Sequence, residues 1–175
     1  MVNILIMYST TDGHTLEICQ YLKRVIENHG NSVTLHSIDD GPDVDMRTFD
    51  KIVLGASIRY GKHSKQVYRL IKNSQAILDS KQNAFFSVNV VARKPEKNQP
   101  ETNPYLKKFL KEISWQPRHL AVFAGKLNYP IYSYWDKQII RFIMWMTKGP
   151  TDPDTVIDYT DWNQVEAFGQ LVSDM

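Results

Sequence analysis

From residue 2 to residue 8 the chain is apolar almost throughout, and from 15 to 29 the apolar positions move to helical spacing. A continuous apolar run of that length predicts a strand covered on both faces, hence a parallel sheet. In the following segment Ile18, Leu22 and Val25 share one face, with Cys19 and Ile26 beside them, and Gly30 supplies the stop. The alternation then repeats. Residues 32–38, 51–57, 83–91 and 119–127 read as strands; residues 64–78, 102–113 and 161–172 read as helices, the last capped by Thr160 or Asp161.

Strand and helix alternating from end to end predict right-handed crossovers. The expected architecture is α/β: a doubly wound, five-stranded parallel sheet of order 2-1-3-4-5, forming a single domain over residues 1–175. Two segments exceed that plan. One is the polar stretch 92–104. The other is 128–158, an insertion after the fifth strand that is much longer than a usual connection. Within it, YWDKQIIRFIMWMTK (134–148) predicts an apolar helix with Lys137, Arg141 and Lys148 near one stripe. At ~1.5 Å rise per residue it is about 22 Å long, short for a ~30 Å hydrocarbon core. It suits a membrane interface, with Trp135, Ile139, Ile140, Ile143 and Trp145 as candidate contacts. Packing on its own sheet, or burial in a homo-oligomer, accommodates the same pattern.

A hydrophobic share of 42% supports a real core, and a net charge of +2 argues against a nucleic-acid binder. The single cysteine, Cys19, can build no disulfide framework and fits a buried thiol in a reducing, cytosolic compartment. The five histidines have no metal-ligand spacing, so no metal is expected. No signal peptide is read at the N-terminus.

Candidate chemistry concentrates where the first strand ends. Ser9, Thr10, Thr11, Asp12, Gly13, His14 and Thr15 offer hydroxyls, a flexible glycine and the N-terminus of a helix. Such a loop cradles an anion with neutral donors. It has neither the lysine of a Walker A loop nor G-x-G-x-x-G, so a terminal phosphate monoester is the best guest. An ordinary capped turn has the same composition. Two further polar loops fall on the same sheet edge, where ligands of open α/β sheets lie. These are Ser57, Ile58, Arg59, Tyr60 and Gly61 after the third strand, and Ser87, Val88, Asn89, Val90, Val91 and Ala92 at the end of the fourth. Arg93, Lys94 and Lys97 follow directly, giving this edge a positive charge.

Residues 9–15 resemble the phosphate loop of flavodoxins. GASIRYG (55–61), SVNVVARKPEK (87–97), Tyr129-Pro130, Trp135-Asp136 and YTDW (159–162) are similar, more specifically, to the bacterial flavodoxin-like, menaquinone-dependent protoporphyrinogen oxidases of haem synthesis. The resemblance implies FMN as cofactor, held by the three loops. It implies protoporphyrinogen IX as substrate, oxidised to protoporphyrin IX, and a membrane quinone, menaquinone or ubiquinone, as acceptor. It places the protein in the cytoplasm, peripherally on the inner membrane. No side chain is assigned as catalytic, because the flavin carries the redox chemistry. Arg93, Lys94 and Lys97 are expected at the propionates of the substrate. A flavodoxin-like electron carrier or general quinone reductase, and a binding module with a vestigial loop, are the competing readings.

Overall fold

A computed structural model of the protein describes residues 1–41 and 43–175. Its main sheet is built from β1 (Asn3–Ser9), β2 (Ser32–Ser37), β3 (Lys51–Ser57), β4 (Gln82–Asn89) and β5 (His119–Ala124), in the order β2-β1-β3-β4-β5 and parallel throughout. The expected order is the one observed. The apolar runs are continuous because both faces of the sheet are covered. Ile4 and Ile6 of β1 join α1 (His14–Asn28) and α5 (Trp162–Asp174) in one core layer. Their neighbours Leu5 and Met7 point the opposite way and join α2 (Lys65–Ser80) and α3 (Pro104–Glu112). Strand alternation thus feeds two cores from one unbroken hydrophobic segment. Cys19 is fully buried in the first of them, and burial pushes its thiol well above the usual range.

The expected fifth strand over 119–127 is two strands. β5 stops at Ala124, and β6 (Lys126–Asn128) turns away to pair antiparallel with β7 (Val156–Asp158). The insertion therefore leaves and returns at one point. The N–H of Gly125 donates to the Asn89 carbonyl at 3.1 Å, and the N–H of Tyr159 donates to the Gly125 carbonyl at 3.1 Å. Between β6 and β7 lies α4 (Tyr134–Met146), capped by Ser133, whose hydroxyl accepts from the N–H of Asp136. Only Met144 of this helix is buried, in a small cluster with Leu127 and Tyr129. The fourth strand also ends earlier than its apolar pattern suggests. Asn89 caps a 3-10 turn over Val90–Arg93 by accepting from the N–H of Ala92.

Candidate functional site

The carboxyl ends of β1, β3 and β4 open into a cleft with a cavity volume of about 140 Å³. It lies at the point where the strand order reverses, between β1 and β3.

Of the first loop, Thr10, Thr11, Asp12, His14 and Thr15 line the cleft. Gly13 does not, but it makes the loop possible. It sits at the N-cap of α1 with φ 88°, a left-handed conformation natural to glycine, and its N–H donates to Thr10 Oγ1 at 3.0 Å. Ser9 is buried beneath, with its hydroxyl 3.0 Å from that of Ser64. Thr15 carries the most informative atom of the site. Its Oγ1 is buried and has no hydrogen-bond partner, although it stands in the first turn of α1. A buried hydroxyl without a partner is costly, and an anion at the helix N-terminus would satisfy it. The loop therefore fits the phosphate of FMN.

His14 ties this loop to the YTDW segment. Its Nε2 is 2.6 Å from Thr160 Oγ1, and its Nδ1 is 3.0 Å from Glu17 Oε2. Thr160 in turn donates to the Ala124 carbonyl at 2.8 Å. Burial works to raise the Asp158 carboxyl nearby. Hydrogen bonds from Thr160 and the adjacent His14 outweigh it and hold Asp158 below the usual carboxylate range.

All five expected residues of the second loop, Ser57 to Gly61, line the cleft. Arg59 and Lys62 exchange two backbone hydrogen bonds across a tight turn. The central residues, Tyr60 and Gly61, both have positive φ, as a primed turn demands. A tyrosine is an unusual occupant of that conformation, and such strain concentrates at functional loops. Its hydroxyl donates to Asp136 at the start of α4. The Arg59 guanidinium bonds Asp12 and lies 5.8 Å from the Tyr60 ring centroid and 5.3 Å from that of Tyr132.

At β4, Val88, Asn89, Val90 and Val91 reach the cleft, whereas Ser87 and Ala92 are buried behind it. Behind these two loops runs a polar chain that sequence pattern did not single out. His63 Nδ1 is 3.1 Å from the Ser57 carbonyl and therefore donates to it. Burial pushes His63 down to about 4, so its Nε2 is free to accept from Ser87 Oγ at 3.4 Å. Ser87 accepts from Asn89, Asn89 accepts from Asn103 at 3.1 Å, and Asn103 also donates to the Lys97 carbonyl. The second loop, the end of β4 and the polar stretch are thereby locked together. His63 and Asn103 are isolated polar residues in the sequence, and no periodicity marks them.

The three cations after β4 separate. Arg93 lines the cleft; Lys94 and Lys97 are half-buried but do not. Arg93 Nη1 donates to the Val90 carbonyl, and Nη2 to the carbonyl and hydroxyl of Thr147. Among the described residues no carboxylate pairs with it. The apolar helix separates too. Ile140 and Ile143 line the cleft, together with Met144 and Thr147. Trp135, Ile139 and Trp145 point outward, at 75%, 43% and 69% exposure. The five candidate membrane contacts are thus split between two faces, because a helix apolar all round gives no sequence clue to its inner side. Tyr105, Gly125, Lys126, Leu127 and Tyr132 complete the lining without having been singled out in the sequence. Among the described residues no helix is long and apolar enough to cross a membrane, and no metal-ligating cluster occurs.

Residues 5–154 match the family model described as Flavodoxin domain. Protoporphyrinogen IX dehydrogenase (quinone) of Escherichia coli K12 is 40% identical over 169 residues, covering 97% of this chain and 93% of that protein. The protein of the same name from Leishmania major is 42% identical over 165 residues, covering 94% of this chain and 71% of that protein. Among solved structures, a flavodoxin from the domain Archaea superposes with TM-score 0.54 at 12% identity, over 98% of this chain and 96% of that one. Oxidised flavodoxin 1 from Bacillus cereus gives 0.53 at 16% identity, over 98% and 97%. At such identities these two structures speak to the fold alone.

Proposed function

This chain belongs to the Flavodoxin domain family, and on that premise we propose that it binds FMN and oxidises protoporphyrinogen IX to protoporphyrin IX, delivering the electrons to a membrane quinone. The observation that carries the proposal is the partnerless buried hydroxyl of Thr15, in the first turn of α1 beside the cleft. FMN, when bound, supplies two-electron transfer, so the six electrons of the porphyrinogen require three cycles.

The rest of the work falls to the chain. Thr10, Thr11 and Thr15 with the first N–H groups of α1 hold the phosphate. The backbones of residues 57–61 and 88–91 border the ring and fix its orientation through the His63–Asn103 chain. Arg59 presents its guanidinium along the wall, suited to the propionates of a porphyrinogen. Lys94 and Lys97 stand behind Arg93 and add to the positive field that draws such a substrate in. Ile140, Ile143 and Met144 give the macrocycle an apolar wall.

The outer face of α4 serves a different purpose. Tyr134, Trp135, Ile139, Phe142, Trp145 and Met146 are exposed together, a pattern that fits a helix lying in a membrane interface. The quinone, menaquinone in the best-fitting case, then meets the cleft at the cytoplasmic surface of the inner membrane. Anaerobic turnover of protoporphyrinogen, followed by porphyrin fluorescence with and without a menaquinone analogue, tests the proposal. Quinone-dependent porphyrin formation is expected. Quinone reduction by other donors without any porphyrinogen oxidation would favour an electron carrier or general quinone reductase.

A further inference from the structure

The insertion helix is held down by a small apolar cluster, with Val90, Tyr132, Ile140 and Tyr159 partly buried at its edge. Met144 is its one buried residue, and the cluster beneath it contains only Leu127 and Tyr129 as buried partners. Yet the inner face of α4 forms one wall of the cleft. Polar contacts add to this packing in fixing the distance of that wall. At the N-terminal end, Asp136 accepts from Tyr60. Along the helix, Arg141 Nε donates to the Thr151 carbonyl at 2.8 Å. At the C-terminal end the connection is Arg93.

Arg93 Nη1 reaches the Val90 carbonyl at 3.1 Å, in the turn after β4. Its Nη2 reaches the Thr147 carbonyl at 3.1 Å and the Thr147 hydroxyl at 3.2 Å. That hydroxyl spends its own proton on the Ile143 carbonyl at 2.9 Å, so it is free to accept. The guanidinium thus spans the sheet edge and the end of α4. Its charge also lies where the helix dipole is negative. The helix closes tightly around it. The N–H of Gly149 donates to the Met144 carbonyl at 2.6 Å, and Lys148 takes a left-handed φ of 59°. A Cβ on Gly149 would stand 3.0 Å from Arg93 Nη2 and 2.2 Å from Met144 Cε. A side chain at this position would displace the ends of the Met144 and Arg93 side chains.

We propose that Arg93 is a positioning residue. By clamping the end of α4 to the turn after β4, it sets how far Ile140, Ile143 and Met144 stand over the cleft and so how well they meet the substrate. The clamp itself is independent of the proposed function; only its kinetic consequence rests on that reading.

The FMN-loaded protein and two variants, Arg93→Gln and Gly149→Val, test it. The first removes the charge and the fork. The second leaves the charge intact and crowds the guanidinium together with the Met144 side chain; Gly149→Ala replaces it should the valine protein not fold. Hydrogen exchange of the α4 amides is read first. Losing a charge-assisted bond predicts exchange about 10- to 100-fold faster in Arg93→Gln, with a rise of the same direction in Gly149→Val. Amides of α1, α2 and α3 should keep their protection, which separates local release from unfolding. The second readout is porphyrinogen kinetics: both variants should raise KM with little change in kcat. Unchanged α4 exchange in either variant would overturn the clamp. A KM rise confined to Arg93→Gln would overturn the positioning role in favour of direct contact between the charge and the substrate. If no variant or parent turns over porphyrinogen, the proposed function fails while the exchange measurement still decides the clamp.

Discussion

His63 gives the account a quantitative handle that needs no substrate. It is buried between Phe85 and Phe109, and burial holds it at about 4 against an unfolded value of 6.5. The sign follows directly. Below the unfolded value the unfolded chain takes up a proton that the native protein refuses, so stability falls as pH falls from about 6.5 toward about 4. At about pH 4.5 the loss amounts to roughly 2.5 kcal/mol, and the full shift is worth about 3 kcal/mol. Carboxylates also titrate in this window, so the measurement must be a difference. Urea unfolding of the parent and of His63→Gln at several pH values isolates it, because glutamine does not titrate. The parent should be the more stable at pH 7, since it alone makes both the Ser57 and Ser87 contacts. That advantage should shrink by roughly 2.5 kcal/mol on going to about pH 4.5. A gap that stays constant across this range would refute the neutral, desolvated histidine and with it the directed chain from Ser57 to Asn103.

Three further outcomes follow from the geometry. Thr15→Val should stabilise the apoprotein by about 1 kcal/mol, by removing a buried hydroxyl without a partner, while weakening FMN about 10-fold or more; urea unfolding and flavin fluorescence quenching read the two effects. Riboflavin, which lacks the phosphate, should bind parent and variant alike. Trp135→Glu with Trp145→Glu should weaken binding to lipid vesicles by at least ~10-fold, as burial of an apolar side chain contributes ~1.5–3 kcal/mol, and should leave FMN content unchanged in a spectrum of the purified protein. Ile143→Glu should do the reverse, sparing vesicle binding but raising the KM for porphyrinogen, because Ile143 faces the cleft and not the exterior.

The sheet was legible because its strands are buried on both faces, and burial on both faces writes itself as an unbroken apolar run. Residues 51–57 show this best: the expected strand and the observed one coincide. The break at Gly125 was not legible. Residues 119–127 are apolar enough to continue, and the chain turns because β6 has a partner in β7, about thirty residues away, which no local pattern announces. That the first loop lines the cleft could be read because its chemistry is local, hydroxyls beside a helix start. The rest of the site is assembled by tertiary contacts. Arg93 reads in the sequence as a cation for substrate carboxylates, and no local pattern announces that its guanidinium is engaged with Thr147 on the insertion. Ile140 and Trp145 looked equivalent on an apolar helix until the cluster under Met144 set which face turned inward. His63 and Asn103 gain their meaning only from neighbours distant in sequence.

The central claim is that this chain moves electrons from a porphyrinogen to a quinone through FMN in the cleft at the ends of β1, β3 and β4. The FMN-loaded protein should be mixed with protoporphyrinogen IX in the absence of oxygen and of quinone, and its flavin absorption band followed. The account predicts that the band bleaches while porphyrin fluorescence rises, and that it returns when a menaquinone analogue is added. A flavin band that stays oxidised in the presence of excess protoporphyrinogen would contradict it.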